Sequence, residues 1–171
     1  GNDTLYGGSG DDDIFGDSGI NTLYGGSGDD WFRTSARSTG LSDDYIADFE
    51  LGNDRIDLRA WGVSDFTQVQ ALLGNTADGG SILNAYAGGV NHVIEIADVT
   101  RGEFITADFV LDTATAARNL SGSSSADVLF GGRGHDTIDG NGGIDQLLGG
   151  LGDGDIFGEC GHDQLMGGHG I

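Results

Sequence analysis

A nine-residue pattern recurs in two stretches of this 171-residue chain and constrains its fold more than any other feature. Residues 7–15 read GGSGDDDIF, and the units that follow, through residue 33, keep the same spacing. A second series fills residues 122–171 and stops partway through a unit. Every complete unit opens on glycine and has an apolar residue at its eighth position. A flexible Gly/Asp linker needs no such apolar position, so the pattern predicts a folded structure.

Each position of the unit has a physical role. Glycine adopts positive φ and allows close backbone approach, so the first six residues can form a tight turn. The last three residues suffice for a short strand whose middle side chain points inward. Two turns and two strands make one coil, so turns 18 residues apart stack, which predicts an all-β fold, a parallel β-roll. The predicted inward residues are Leu5, Ile14, Leu23, Phe32, Leu129, Ile138, Leu147, Ile156 and Leu165.

The charge of the chain points to a metal. Of 28 acidic residues, 24 are aspartate, and the 7 basic residues are all arginine, which gives a net charge of −21. Such a chain repels nucleic acids and anionic lipid surfaces, so we expect no nucleic-acid partner. Aspartate is short and suits a tight turn that holds a cation. Calcium takes about six to eight hard oxygen ligands from carboxylates and carbonyls, so we expect several calcium ions as the cofactor.

We predict that the calcium ions lie between stacked turns, held by sixth-position side chains and by backbone carbonyls of turn glycines. The predicted ligands in the first series are Asp3, Gly8, Gly10, Asp12, Asn21, Gly26, Gly28 and Asp30. Those in the second series are Asp127, Gly132, Gly134, Asp136, Gly142, Asp145, Gly150, Gly152 and Asp163. Without metal the carboxylates repel one another, so the repeats are expected to fold only when calcium binds.

The 18-residue spacing also predicts that one of the calcium sites between stacked turns binds more weakly than the others. It places Asp12 opposite Asp30, and Asp145 opposite both Asp127 and Asp163. Asp136 meets Gly154, which has no carboxylate. Because calcium affinity follows ligand charge, the site between these two turns is expected to bind calcium weakly, and Gly154→Asp is expected to raise its calcium affinity.

Residues 34–121 have a more ordinary composition and are predicted to form a β-rich cap between a roll at 1–33 and a second roll at 122–171. Alternating apolar residues predict strands at 45–49 and 55–58. Asp65 is expected to cap a short helix that runs to Leu73. Residues 81–86 and 92–96 are predicted to form a hairpin about Gly88 and Gly89, which seals the open end of the first roll.

The ninth positions of the second series form a possible contact strip. Phe130, Leu148 and Met166 are 18 residues apart and therefore stack on one sheet. The strip either packs on the cap or faces a neighbouring module, and both interpretations stay open.

The repeat units resemble the RTX, or hemolysin-type calcium-binding, repeats of proteins exported by bacterial type I secretion. Residues 44–58 (DYIADFELGNDRIDL) resemble the segment that follows the repeats in serralysin-type proteases and in the R-modules of mannuronan C5-epimerases. In those families this segment begins a β-rich cap that ends in a motif like ADFVL, residues 107–111 here. The resemblance implies a secreted, calcium-loaded module with a further calcium near Asp44. The acidic residue that some relatives carry seven positions earlier is Arg37 here.

No catalytic signature of a protease, hydrolase or nucleotide-binding enzyme is present, and we expect no enzyme activity. His135 and His162 lie at solvent-facing fifth positions, and Cys160 is the only cysteine, which excludes a disulfide scaffold. No apolar run approaches the about 18 residues of a membrane span.

The expected function is therefore that of a non-catalytic calcium-binding module of a secreted, extracellular bacterial protein. It would fold on calcium outside the cell and support a neighbouring module of the same chain. The alternatives are a polysaccharide (alginate)-binding module, favoured by six arginines among residues 33–121 but opposed by the net charge of −21, and a spacer in a large surface adhesin. Because the chain begins without a basic start and an apolar core, we expect it to be a piece of a longer protein.

Overall fold

The computed structural model describes residues 1–33, 35, 42–87 and 90–170, and these form parallel β-sheets with one short helix. The first roll and the middle segment contain β1 Thr4–Ser9, β2 Asp13–Phe15, β3 Gly19–Ser27, β4 Trp31–Arg33, β5 Ser42–Ile46, β6 Arg55–Asp57, α1 Phe66–Leu72, β7 Leu73–Asn75, β8 Ser81–Ala87, β9 Val90–Ile96 and β10 Phe109–Val110. The second roll contains β11 Asn119–Ser121, β12 Val128–Gly132, β13 Thr137–Asp139, β14 Gly142–Gly143, β15 Gln146–Gly150, β16 Asp155–Phe157, β17 Cys160–Gly161 and β18 Gln164–Met166. Two 3-10 turns span Arg59–Trp61 and Thr106–Asp108.

Strand pairing confirms the predicted all-β roll with its 18-residue coil. In the first roll Leu5 lies opposite Leu23, and Ile14 lies opposite Phe32. In the second roll Leu129 lies opposite Leu147. All these pairs are parallel, as required when each coil returns to the same side of the molecule.

The middle segment continues the first roll. Strand β5 pairs in parallel with β3, and β6 pairs in parallel with β4, so that Asn21 lies opposite Asp44 and Trp31 opposite Arg55. The intervals between these partners exceed 18 residues because longer connections separate the strands. The coil therefore continues where the nine-residue spacing is lost. Arg37, which stands where some relatives carry a further acidic residue, lies outside the described residues.

The far end of the first roll is closed by antiparallel strands. Strand β9 pairs in parallel with β5 and in antiparallel with β8, which in turn pairs with β7. The predicted hairpin is thus present, although its turn at Gly88 and Gly89 lies outside the described residues. Helix α1 is also confirmed, because the Asp65 carboxylate accepts the Gln68 N–H at 3.0 Å and caps it.

The second roll has its own sheets, β11-β13-β16, β12-β15-β18 and the short β14-β17. Strand β11 pairs with β13 at the 18-residue interval, with Leu120 opposite Ile138. The ladder of the second roll thus begins at Asn119, three residues before the first recognisable repeat unit at 122. The domain boundary that we place at 121/122 stays a prediction.

The eighth-position side chains form the interior, as predicted. Ile14, Leu23 and Phe32 join a large cluster that extends through the middle segment. Leu129, Ile138 and Leu147 form a separate small cluster inside the second roll. Leu165 is 48% exposed because its strand, β18, has a neighbour on one side only.

The ninth-position strip packs within the chain. Phe130 and Leu148 are 1% and 4% exposed and belong to the large cluster of the first roll and middle segment, whereas Met166 is 47% exposed. Phe130 and Leu148 are therefore unavailable to a neighbouring module, and the contact-face interpretation of these two residues is wrong. Their role is to dock the second roll on the middle segment.

This packing makes a matched pair of substitutions informative. Leu148→Ala removes a buried side chain and is expected to lower the free energy of unfolding in calcium by about 2–5 kcal/mol. Met166→Ala, at the same ninth position one coil later, is expected to cost less than about 1 kcal/mol. Urea unfolding followed by circular dichroism measures both, and equal costs would contradict the docking role of Leu148.

Candidate metal centre

Most turns of the two rolls share one backbone conformation. The second position has positive φ in units that carry glycine there, such as Gly8 and Gly150, and also where it is Asp17, Asn141 or Glu159. The fourth position also has positive φ in most units, as at Gly10 and Gly143, but not at Gly134. In the unit that opens at Gly140, the left-handed residues are Asn141 and Gly143, so the predicted ligand Gly142 lies between them.

Sixth-position residues of successive coils are joined by hydrogen bonds and form rows that run along the roll. The Asp12 N–H donates to Asp30 Oδ1 at 2.9 Å, and the Asp127 N–H donates to Asp145 Oδ1 at 2.8 Å. The Asp145 N–H donates in the same way to Asp163 Oδ1 at 3.0 Å. Each carboxylate therefore turns inward, beneath the turn of the preceding coil, and the predicted opposition of these aspartates is confirmed.

These inward carboxylates are buried, and several keep an unused oxygen. Asp30 and Asp145 are 0% exposed, and Asp136 is 2% exposed. Among the described residues, Oδ2 of Asp12, Asp30, Asp136 and Asp145 is buried without a hydrogen-bond partner. A buried carboxylate oxygen without a partner is strongly unfavourable, so each of these atoms fits a site for a hard cation.

In units with aspartate at the sixth position, the opening glycine leaves room for that carboxylate. A Cβ built on Gly7 would lie 2.7 Å from Asp12 Oδ2, and one on Gly131 would lie 2.7 Å from Asp136 Oδ2. A side chain at Gly7 or Gly131 would therefore displace the carboxylate five residues later.

A second row of the first roll runs through Asp3, Asn21 and Asp44. The Asp3 N–H donates to Asn21 Oδ1 at 3.1 Å, and Asn21 Nδ2 donates to Asp44 Oδ1 at 2.8 Å. Asn21 and Asp44 are buried, whereas Asp3 is exposed. Asp44 is thus the sixth-position equivalent of the coil that follows Asn21.

Sequence reasoning missed Asp54. The Asp30 N–H donates to Asp54 Oδ1 at 3.0 Å, and Asp54 is 2% exposed, so it extends the row of Asp12 and Asp30 into the middle segment. The signal was present, since Asp54 precedes the strand Arg55–Asp57 as Asp30 precedes Trp31–Arg33. It was missed because no glycine-rich turn precedes Asp54.

The electrostatics of these rows oppose folding without a cation. Burial raises the pKa of Asp54, and the charges of Asp30 and Glu50 add to this effect. Burial likewise raises the pKa of Asp145, with further contributions from Asp163 and Asp127. Both ionised carboxylates are therefore less stable in the fold than in water, and a divalent cation bound beside each of them would remove that cost.

The row of Asp136 differs from the others. Because Thr137 lies opposite Asp155, Asp136 faces Gly154, as predicted, and Asp153 and Asp155 are exposed. A Cβ on Gly154 would lie 2.5 Å from the Asp136 carbonyl oxygen. The expectation that Gly154→Asp raises the calcium affinity of this site is therefore wrong, because aspartate does not fit there unless the turn moves.

Among the described residues, no group of three or more His, Cys, Asp or Glu side chains converges as a metal site. The rows instead combine paired carboxylates with turn carbonyls, a donor set of hard oxygens that suits calcium. Cys160 is exposed and free. No helix in the described part of the chain is long and apolar enough to cross a membrane.

Two comparisons with protein families agree with this geometry. Residues 3–122 match the family described as Peptidase M10 serralysin C terminal. Residues 121–156 match the RTX calcium-binding nonapeptide repeat, in a model of 4 copies. The comparison with curated proteins finds no match.

These matches confirm the resemblance drawn from residues 44–58 and from the repeat units. RTX nonapeptide repeats bind calcium ions, so calcium is the cofactor of this chain. Repeats and domains of these two kinds occur in secreted bacterial proteins. Because the first match covers more than half of the length of this chain, the chain belongs to the serralysin C-terminal family of peptidase M10 and carries RTX calcium-binding repeats.

Proposed function

We propose that this chain is a non-catalytic module of a secreted bacterial protein that folds when calcium binds outside the cell and then supports a neighbouring module. The observation that carries this proposal is the set of buried, unpartnered Oδ2 atoms on Asp12, Asp30 and Asp145. These carboxylates are stacked in rows in a chain of net charge −21, so the rolls need a divalent cation to be stable.

The same electrostatics supplies a switch between compartments. In a cytosol with little free calcium, the carboxylates repel and the thin interior of the second roll, Leu129, Ile138 and Leu147, cannot hold the coils together. Millimolar calcium outside the cell neutralises the rows and adds its binding free energy to folding. The chain would thus stay extended for export and fold afterwards.

The proposed ligands are the sixth-position side chains of four rows and the carbonyls of the turns above them. They comprise Asp3, Gly8, Gly10, Asp12, Asn21, Gly26, Gly28, Asp30 and Asp44 in the first roll, Asp54 in the middle segment, and Asp127, Gly132, Gly134, Asp136, Gly142, Asp145, Gly150, Gly152 and Asp163 in the second roll.

Calcium-driven folding is directly measurable. Far-UV circular dichroism of the chain in EDTA is expected to show mostly coil, and millimolar Ca²⁺ is expected to produce a β spectrum. Mg²⁺ should do this poorly, because it holds its waters and demands octahedral geometry. A fully folded spectrum in EDTA would contradict the proposal.

The ligand assignment has a control within one turn. Asp30→Asn removes a buried charge from the row of Asp12 and Asp54, and it is expected to weaken calcium binding by at least about tenfold. Asp29→Asn makes the same charge change at the exposed neighbouring residue and should leave calcium binding nearly unchanged. Isothermal titration with Ca²⁺ measures both variants, and equal affinities would remove Asp30 from the ligand set.

One surface favours polysaccharide binding as a second candidate function. An open cleft of about 730 Å³ on the outer face of the β2-β4-β6 sheet is lined by Asp13, Phe15, Arg33, Asp57, Arg59 and Ala60. Arg33 pairs with Asp13, and Arg59 pairs with Asp57 at 2.6 Å. Burial alone would raise the pKa of Asp57, but hydrogen bonds from Arg59 outweigh it and lower that pKa.

An aromatic ring lies beside these ion pairs. The Trp31 ring centroid is 5.8 Å from Arg33 Cζ and 6.0 Å from Arg59 Cζ, and Phe15 is 48% exposed. Fixed donors and acceptors beside aromatic faces suit the hydroxyls and C–H faces of a sugar.

Tryptophan fluorescence tests this second function. Trp31 is half-buried at the cleft and Trp61 is 2% exposed, so a bound sugar should change the emission of Trp31 alone. The probes are an oligoguluronate and a neutral glucan oligosaccharide, each added to the calcium-loaded chain. Trp31→Phe should abolish the response, whereas Tyr45→Ala, on the other sheet, should keep it. No response at millimolar sugar would exclude the cleft as a sugar site.

A further inference from the structure

The second roll contains an asparagine that is followed by glycine. Of the eight asparagines in the chain, only Asn141 precedes a glycine. The carbonyl carbon of an asparagine side chain can be attacked by the backbone nitrogen of the next residue, and glycine has no Cβ that would shield this nitrogen. Wherever the chain is unfolded, Asn141 is therefore the asparagine that this reaction reaches most easily.

The folded turn holds both reacting nitrogens in hydrogen bonds. Asn141 has a φ of 64°, and its Nδ2 donates to Ser121 Oγ and to the Gly122 carbonyl, each at 3.0 Å. The Gly142 N–H, which carries the attacking nitrogen, donates to the Ser123 carbonyl at 3.1 Å. The reaction therefore costs three hydrogen bonds in the folded turn, whereas an unfolded chain exchanges such bonds with water.

These hydrogen bonds all run to the preceding coil. Residues 121–123 lead into the turn that ends at Asp127, and Asn141 lies in the turn that ends at Asp145. The Asp127 N–H joins the same two turns through its bond to Asp145 Oδ1 at 2.8 Å, and both aspartates are proposed calcium ligands. The bonds that protect Asn141 therefore depend on the stacking that calcium stabilises.

We propose that Asn141 is a deamidation site that is protected wherever these two turns are stacked and is open in the calcium-free chain. The Gly142 nitrogen loses its proton to water and bonds to Asn141 Cγ, the bond between Cγ and Nδ2 breaks, and Nδ2 leaves as ammonia. Water then opens the cyclic imide at either carbonyl and gives aspartate or isoaspartate. One water is consumed for each ammonia released, and no group is oxidised or reduced.

The two products differ in their effect on the metal centre. Aspartate fits the second position of a turn, since Asp17 occupies that position in the first roll with a φ of 60°. Isoaspartate adds a backbone atom after residue 141, so the turn from Gly140 to Asp145 can no longer keep its spacing. Isoaspartate is therefore expected to remove the calcium site between Asp127 and Asp145.

The modification gives the calcium-free chain a limited lifetime. A chain that meets calcium soon folds with Asn141 intact and is protected afterwards. A chain that stays without calcium accumulates isoaspartate and loses part of its capacity to bind calcium later. This inference rests on the proposed function, because its starting state is the chain unfolded by the lack of calcium.

Mass spectrometry measures the conversion in the whole chain, incubated in mildly alkaline buffer with EDTA or with millimolar Ca²⁺. Tryptic cleavage after Arg133 releases residues 134–171, in which Asn141 is the only asparagine. Conversion of Asn141 is expected to be at least about tenfold faster in EDTA than in calcium, because in the folded roll it proceeds only through local opening. Circular dichroism of the same samples records whether the chain is folded.

Gly142→Ala separates the chemistry from the fold. A Cβ on Gly142 would lie 3.8 Å from the nearest atom beyond its chain neighbours, Ser124 Cα, so alanine fits the turn. Because the added Cβ shields the attacking nitrogen, conversion of Asn141 in EDTA is expected to slow by about tenfold. This comparison is made on unfolded chains, so it decides even if the variant folds poorly in calcium.

Calcium titration of the aged chain tests the link to the metal centre. Chromatography separates the isoaspartate product, which is expected to bind fewer calcium ions than the fresh chain in isothermal titration. Asn141→Asp carries the same charge on a normal backbone and should bind as many calcium ions as the fresh chain. Equal calcium binding by the isoaspartate product and the fresh chain would contradict the inference.

The failures of the two proposals are distinguishable. Equal rates of conversion in EDTA and in calcium, with a coil spectrum in EDTA, would overturn the inference and leave the proposed function intact. A folded spectrum in EDTA would instead overturn the proposed function. Urea added with EDTA then decides the inference, which fails if Asn141 converts no faster in urea than in the folded chain.

Discussion

The structure depends on carboxylates that are stacked inside turns. A sixth-position side chain reaches under the preceding turn, accepts a backbone N–H with one oxygen and leaves the other oxygen buried, as Asp30 and Asp145 do. The bond specifies the register of the coils, and the second oxygen creates a demand for a cation. The same residue therefore provides both the geometry of the roll and its dependence on metal.

The second roll shows how little else stabilises such a structure. Its own interior is a cluster of Leu129, Ile138 and Leu147 with partly buried neighbours. The side chains of Phe130 and Leu148 point out of the roll and pack in the core of the middle segment. Burial of apolar area is the dominant favourable term in folding, so a roll with so small a core needs either calcium or a surface to dock on. The middle segment supplies that surface, through helix α1 and strand β8.

The middle segment is therefore a continuation of the roll as well as its cap. Strands β5 and β6 extend both sheets of the first roll, and Asp44 and Asp54 extend both rows of inward polar side chains. The antiparallel strands β7 and β8 then end the larger sheet. This arrangement explains why one family match runs from residue 3 to residue 122 without a break at the end of the first repeats.

The nine-residue period by itself determined the parallel coil, the inward apolar positions, the opposition of Asp12 with Asp30 and of Asp136 with Gly154, and the need for calcium. These follow from local geometry, since a fixed turn and a short strand repeat without reference to the rest of the chain. Only the tertiary structure decided where coils lacking the glycine pattern lie, because Asp54 reaches its sixth position through strand pairing at an interval of 24 residues from Asp30, which the nine-residue period does not predict. The tertiary structure also decided that Phe130 and Leu148 are buried against the middle segment. Which side of a sheet is covered depends on what packs against it, and no local pattern contains that information.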